Sequence, residues 1–369
     1  MENENLNAED NKLSSQEHEA PQTEAKNSNV TIESSEALNP PIEMPEIVPN
    51  TNIDVAFVND VFIKTKNEIQ KVVVGNDDLI QLILAGMFTG GHILLEGVPG
   101  VAKTLIAKLI AQCMAIDFKR IQFTPDLMPS DLIGINVFNL QKSEFIFKKG
   151  PVFSNLVLID EINRSPAKTQ AALFEAMEEK QITVDGETYP LGPPFFVVAT
   201  QNPIEQEGTY KLPEAQLDRF LFKLKVKYPN MDEEIAILNR FKTDFSNTNI
   251  IKTVNSIISA KEIQKCNDII EQIHIKDELI KYIANIVQDT RNNGSLFLGA
   301  SPRASMAILK TSKAIAALNG RDFVTPDDIQ MVCYPVLTHR IILSPEKEME
   351  GSTVDSVIKG IITKIEVPR

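Results

Sequence analysis

Apolar residues recur first at helical spacing, then in short unbroken runs, then at helical spacing again. From Ile53 onward, Val58, Val61, Phe62, Ile69 and Val72 fall on one helical face. A second helix is predicted from Asp77 to about Thr89, stopped by Gly90-Gly91. Four runs then read as strands: residues 92–96, 156–160, 195–200 and 221–226, with 120–124 as a fifth, more polar one. Ile106, Leu109, Ile110 and Cys113 mark a sheet-facing helix behind the first run. A further helix is expected with Ser165 as its N-cap, Pro166 at its first position and Ala167, Ala171, Phe174 and Met177 facing inward. Strands that are apolar throughout and separated by helices belong to a parallel sheet covered on both faces. Two hairpins interrupt that rhythm. Residues 135–140 and 145–147 flank the polar turn 141–144, and residues 182–184 and 188–189 flank Asp185-Gly186.

Beyond Pro229 the pattern is helical, with candidates at 231–242, 261–272, 277–290, 302–318 and 326–339. The last residues are expected to add a short helix and a strand-like end at 361–367. The predicted organisation is a tail over 1–52, an α/β core over 53–229, a linker over 230–260, a helical domain over 261–345 and a C-terminal tail over 346–369.

Charge alters the picture only at the start. The first fifty residues carry eleven acidic and two basic side chains, nine of the chain's thirteen net negative charges. Residues 1–52 hold no aromatic residue, so disorder is expected there, as a solvated tail or an acidic interaction segment. The remainder is nearly balanced and offers no basic field for nucleic acid. Cys113, Cys266 and Cys333 have no metal or redox spacing and read as buried thiols of a reducing compartment. No apolar run approaches the ~20 residues of a membrane span, and no basic start precedes an apolar core, so a cytoplasmic protein without membrane insertion is expected.

The candidate chemistry sits at the ends of the apolar runs. Gly97-Val98-Pro99-Gly100-Val101-Ala102-Lys103-Thr104, with Leu105 following, joins a strand to a helix in the layout of a phosphate-binding loop. Its backbone N–H groups and Lys103 suit phosphate oxygens, and Thr104 suits Mg²⁺. Ala102 stands where glycine is usual, and an ordinary helical backbone is expected for it. Asp160 and Glu161 end the most apolar run, at the edge where open α/β sheets bind ligands. The first suits Mg²⁺, and the second can take a proton from an attacking water. The plain alternative is an acidic flank to the following helix. Asn202 ends another buried run, either to orient that water or as a polar turn before Pro203.

These motifs together, with Phe123-Thr124-Pro125-Asp126-Leu127-Met128-Pro129-Ser130-Asp131, Asp160-Glu161-Ile162-Asn163-Arg164, Ala199-Thr200-Gln201-Asn202-Pro203 and Leu212-Pro213-Glu214-Ala215-Gln216-Leu217-Asp218-Arg219-Phe220, resemble a MoxR-type AAA+ ATPase from about Val55 to the C-terminus. That family usually has Ala at the position of Ala102. The resemblance implies an AAA+ P-loop core with a helical lid, and ATP with Mg²⁺ as cofactors. It makes Asn202 the first sensor, Arg219 an arginine finger and Arg303 the second sensor. Val74 and Gly75 match the loop beside the adenine. From the residues alone, Arg219 reads instead as a surface salt bridge to Asp218 or Glu214.

The resemblance further implies a ring, most often a hexamer. It implies a client protein, often one with a von Willebrand factor A domain, that is remodelled or matured. In related machines both hairpins face the ring pore or a partner. Rival readings are a metal-chelatase motor subunit, a non-hydrolysing nucleotide switch and a DNA-linked motor.

Overall fold

Five strands form one all-parallel sheet in the order β2 (Phe118–Gln122), β5 (Leu156–Asp160), β8 (Phe196–Gln201), β1 (His92–Glu96), β9 (Phe220–Lys225). The computed structural model describes residues 53–98, 100–203, 209–242 and 251–368. The acidic tail expected over 1–52 and Pro99 of the phosphate loop lie outside them.

Alternation along the central strands splits the core in two. Ile93, Leu95, Leu156, Leu158, Phe196 and Val198 point to one face. There they meet α1 (Val55–Gln70), α2 (Asp77–Phe88) and α3 (Lys103–Cys113). Leu94, Val157, Ile159, Val197 and Ala199 point to the other, against α4 (Pro129–Ile133) and α5 (Ala167–Glu179). Burial on both faces explains why these strands read as unbroken apolar runs. At about 25 cal/mol per Å², each fully buried Leu or Ile contributes about 2 kcal/mol.

His92, buried at the start of β1, is held neutral. Val197 N–H donates to its Nδ1 at 3.1 Å, so the proton sits on Nε2, which donates to the Met177 carbonyl at 3.2 Å. Burial lowers its pKa to about 4.

The two predicted hairpins are present as β3 (Gly134–Asn139) with β4 (Glu144–Lys149), and β6 (Gln181–Val184) with β7 (Glu187–Pro190). They lie side by side. Phe147 stacks on Tyr189 with ring centroids 4.3 Å apart, and Asn136 donates to Asp185 at 2.6 Å.

Helix α6 (Glu214–Leu217) precedes β9, and α7 (Met231–Phe241), α8 (Ala260–Glu271), α9 (Asp277–Arg291), α10 (Pro302–Leu318) and α11 (Pro326–Leu337) follow it. Helix α10 packs on α1, α2, α9 and α11, so the helical part and one sheet face share a continuous core. A two-stranded ribbon, β10 (Leu296–Leu298) with β11 (Ile342–Leu343), and α12 (Pro345–Met349) complete this part. Cys113, Cys266 and Cys333 are free and buried, and burial raises each thiol to about 12.

Three local expectations differ from the structure. Strand β2 spans Phe118–Gln122 rather than 120–124, because at this sheet edge Lys119 and Arg120 remain exposed and leave no unbroken apolar run to mark its start. Helix α5 is capped at Pro166 rather than Ser165, and Ala167 and Ala171 face solvent. Its inner face includes Thr169 and Gln170, which donate to the carbonyls of Leu127, Ile162 and Ser165. The strand-like end is instead α13 (Val354–Lys364), whose Ile358, Ile361 and Ile362 are buried at helical spacing.

Candidate active site

The sheet orders the site because all its strands run the same way. Their C-terminal ends carry Gly97, Asp160–Glu161 and Gln201–Asn202 in adjacent positions, since β8 lies between β1 and β5. Gly97 N–H donates to the Gln201 carbonyl at 3.2 Å, joining the phosphate loop to β8. A side chain at Gly97 would stand 2.9 Å from the Val226 carbonyl, so the loop enters where only glycine fits. Gly100 has φ +87° and open space where a side chain would be.

Ala102 has φ 59° and ψ 17°, in the left-handed region, which corrects the expected helical backbone. Such a conformation costs an L-residue roughly 1–2 kcal/mol. It turns the chain so that Lys103, Thr104 and Leu105 open α3, a helix with no side-chain cap and no acidic residue in its first turn. That leaves the N-terminus suited to an anion. Val101 and Leu105 pack against the core and anchor the turn, while Lys103 Nζ donates to the Gly97 carbonyl at 2.5 Å.

Thr104 Oγ1 lies 3.5 Å from Asp160 Oδ2. The other Asp160 oxygen accepts from Thr200 Oγ1 at 3.2 Å, and Thr200 in turn accepts from Glu161 N–H at 3.0 Å. Arg120 Nε lies 2.5 Å from Asp160 Oδ2. A hydroxyl and a carboxylate are the hard oxygen donors Mg²⁺ prefers, and Mg²⁺ takes its other ligands from phosphates and water. Among the described residues no group of three or more His, Cys, Asp or Glu forms a metal cluster. The Thr104 hydroxyl beside the Asp160 carboxylate fits a Mg²⁺ carried in by a nucleotide.

Glu161 also has a left-handed backbone, φ 58° and ψ 52°. Its carboxylate accepts from Gln122 Nε2 at 2.7 Å and lies 3.2 Å from Arg164 Nε. Asn202 is buried directly after β8, between the phosphate loop and the β5 carboxylates in strand order. Val74 and Gly75 precede α2. Gly75 (φ +67°) lines a cavity of about 890 Å³ together with Lys225, Tyr228, Asn230 and Tyr334.

Arg219 and Arg303 are not at this edge. Arg219 precedes Phe220, which pairs with His92 at the start of β1, whereas the phosphate loop follows Glu96 at its end. Five residues of strand separate the two ends by about 13 Å. The arginines meet each other instead: Arg303 Nη2 is 2.8 Å and Arg219 Nη1 is 3.5 Å from the two oxygens of Glu178. Arg219 also donates to the Phe174 carbonyl at 2.8 Å. Neither predicted salt-bridge partner of Arg219 holds it. Asp218 pairs with Arg340 at 2.7 Å.

Several of these partners escape sequence reasoning. Thr200 carried a usable signal, a hydroxyl closing an apolar run. Glu178, Gln122 and Arg340 carried none, because each looks like an ordinary charge or amide on a helix or edge strand.

Residues 92–222 match the model of the ATPase family associated with various cellular activities (AAA), and residues 288–361 match the AAA lid domain. The chain is 46% identical to the Bacillus subtilis protein YeaC over 83% of its own length and 94% of that protein. It is 40% identical to Chaperone MoxR1 of Mycobacterium tuberculosis over 82% of its length and 81% of that protein. A solved structure from Cytophaga hutchinsonii superposes with a TM-score of 0.79 at 46% identity, covering 85% of this chain and 97% of that one. With its parallel α/β core, phosphate loop and lid, the chain belongs to the MoxR family of AAA+ ATPases and is an ATP-hydrolysing enzyme.

Proposed function

We propose that the protein hydrolyses ATP at sites shared between subunits of a closed ring, a hexamer, and uses the cycle to remodel or mature a client protein of the von Willebrand factor A type. The observation that carries this reading is the placement of Arg219 and Arg303 at the sheet edge opposite the phosphate loop. Two different faces that must meet make a head-to-tail interface, and a head-to-tail interface that closes is a ring.

In this reading the loop backbone and Lys103 bind the phosphates, and Val74 and Gly75 border the base. Thr104 and Asp160 hold Mg²⁺, which when bound offsets phosphate charge. Glu161 takes the proton of the attacking water, oriented by Asn202. Thr200, bonded to Asp160 and to the Glu161 N–H, keeps the two carboxylates in register. Arg219 and Arg303 of the next subunit stabilise charge on the transferring phosphoryl, a contribution typically worth ~10³–10⁵ in rate.

The β3–β4 hairpin supports the client-binding part. Leu140 is 85% and Phe145 71% exposed, with Ile135, Val137 and Phe138 beside them. Clustered exposed apolar side chains mark an interaction surface.

The test is ATPase activity against protein concentration for the wild type and Arg219→Ala. Wild-type activity per subunit should rise steeply with concentration, and the variant should stay near baseline. A variant with the wild-type rate would rule out the shared site.

A further inference from the structure

Arg340 follows α11 and is buried, with its side chain 3% exposed. Every nitrogen of its guanidinium is used. Nε donates to Asp218 Oδ1 at 2.7 Å; Nη1 donates to the carbonyls of Val336 at 2.6 Å and Leu221 at 3.1 Å; Nη2 donates to those of Phe220 at 2.7 Å and Asp218 at 3.2 Å. The same Phe220 carbonyl accepts from His339 Nε2 at 2.9 Å. The guanidinium therefore ties the end of a lid helix to the residues that enter β9.

The second oxygen of Asp218 continues the tie. It accepts from Ser301 Oγ at 3.1 Å, and Ser301 Oγ accepts from the Arg303 N–H at 3.2 Å as the N-cap of α10. One carboxylate thus links the residue before Arg219 to the cap of the helix that carries Arg303. The half-buried Arg219 and the exposed Arg303 are held at their tips by Glu178 and at their backbones by the Arg340–Asp218–Ser301 chain.

We propose that Arg340 is a positioning residue: through Asp218 and Ser301 it fixes the separation of Arg219 and Arg303, so that both are presented together. The proposal rests on the shared-site reading above. A buried cation is a costly way to fill space, and an apolar side chain would pack the same gap without desolvating a charge. What an arginine adds is a planar fork whose donors reach several fixed acceptors at once, which lysine cannot reproduce. A catalytic pair carried on two separate elements needs such support, since a displacement of about 1 Å can cost ~10²-fold in rate.

The experiment is a double-mutant cycle on the full chain. Arg340→Lys and Ser301→Ala are each made in the wild type and in an Arg219→Ala/Arg303→Ala background. The turnover number is read from phosphate release with radiolabelled ATP at saturating ATP and Mg²⁺, and ATP affinity from a fluorescent analogue. In the wild type each change should lower turnover by about 10-fold or more, with ATP affinity within about twofold. In the Arg219→Ala/Arg303→Ala background the same changes should alter turnover by less than about twofold, because nothing remains to position. The same loss in both backgrounds, or no loss in the wild type, overturns the proposal. An Arg219→Ala/Arg303→Ala enzyme with wild-type turnover would instead overturn the shared-site reading. Should Arg340→Lys melt below the assay temperature, Ser301→Ala alone decides by the same two comparisons.

Discussion

Arg303 lies 2.8 Å from one carboxylate oxygen of Glu178, whose other oxygen is 3.5 Å from Arg219. One acidic side chain therefore keeps together two cations that would otherwise repel. Removing its charge should let them separate. Glu178→Gln is expected to lower turnover by roughly 10-fold, with unchanged ATP affinity, because the phosphate loop is at the other end of the sheet. Steady-state kinetics with a separate binding titration checks both halves.

Lys103 and Glu161 act at different stages, and their variants should separate. Lys103→Ala should lose ATP binding. Glu161→Gln should bind ATP normally and lose ~10²–10⁴ in turnover, the usual worth of a positioned base. Binding isotherms beside phosphate release distinguish the two; a Glu161→Gln enzyme with wild-type turnover would remove Glu161 from its role.

The left-handed backbone of Ala102 has a thermodynamic signature. Ala102→Gly relieves roughly 1–2 kcal/mol of strain but gains unfolded-state entropy, for a net stabilisation of up to about 1 kcal/mol. Ala102→Val places a β-branched residue at positive φ and should destabilise by a further 1–2 kcal/mol or so. Denaturant midpoints measure both. Equal stability of the three proteins would contradict the strained turn.

The buried histidines make stability depend on pH. His92 has a pKa near 4 in the fold and about 6.5 when unfolded. Its contribution is complete above pH 6.5. Between 6.5 and 4 the unfolded chain takes up a proton that the fold refuses, so stability falls, by on the order of 3 kcal/mol in all. His339, pushed well below its ordinary pKa by burial and by Arg340, acts in the same direction. His92→Asn should flatten the denaturant midpoint between pH 6.5 and 5, and a slope equal to the wild type would refute this role.

How much of this was legible from residues alone follows from the kind of signal each feature leaves. The central strands were readable because burial on both faces makes 92–96 and 156–160 uniformly apolar. The start of the edge strand β2 was not legible because Lys119 and Arg120 face solvent there, and the face of α5 was not because Thr169 and Gln170 answer to hydrogen-bond partners rather than to hydropathy. The phosphate loop and the β5 carboxylates were legible because contiguous motifs carry them. The side of the sheet on which Arg219 and Arg303 stand was not. It depends on strand direction and on α10 folding back over the core, so residues 84 positions apart meet on Glu178.

The central claim is that each active site is built from two subunits, and subunit mixing tests it most directly. Arg219→Ala keeps Glu161 but lacks the arginine, while Glu161→Gln keeps the arginine but lacks the base, so each alone should be nearly inactive. Mixed in equal amounts under conditions that exchange subunits, about a quarter of the interfaces join an intact loop-and-base face to an intact arginine face. The account predicts ATPase activity well above the sum of the two separate variants. Activity equal to that sum, with mixed rings shown to form, would contradict it.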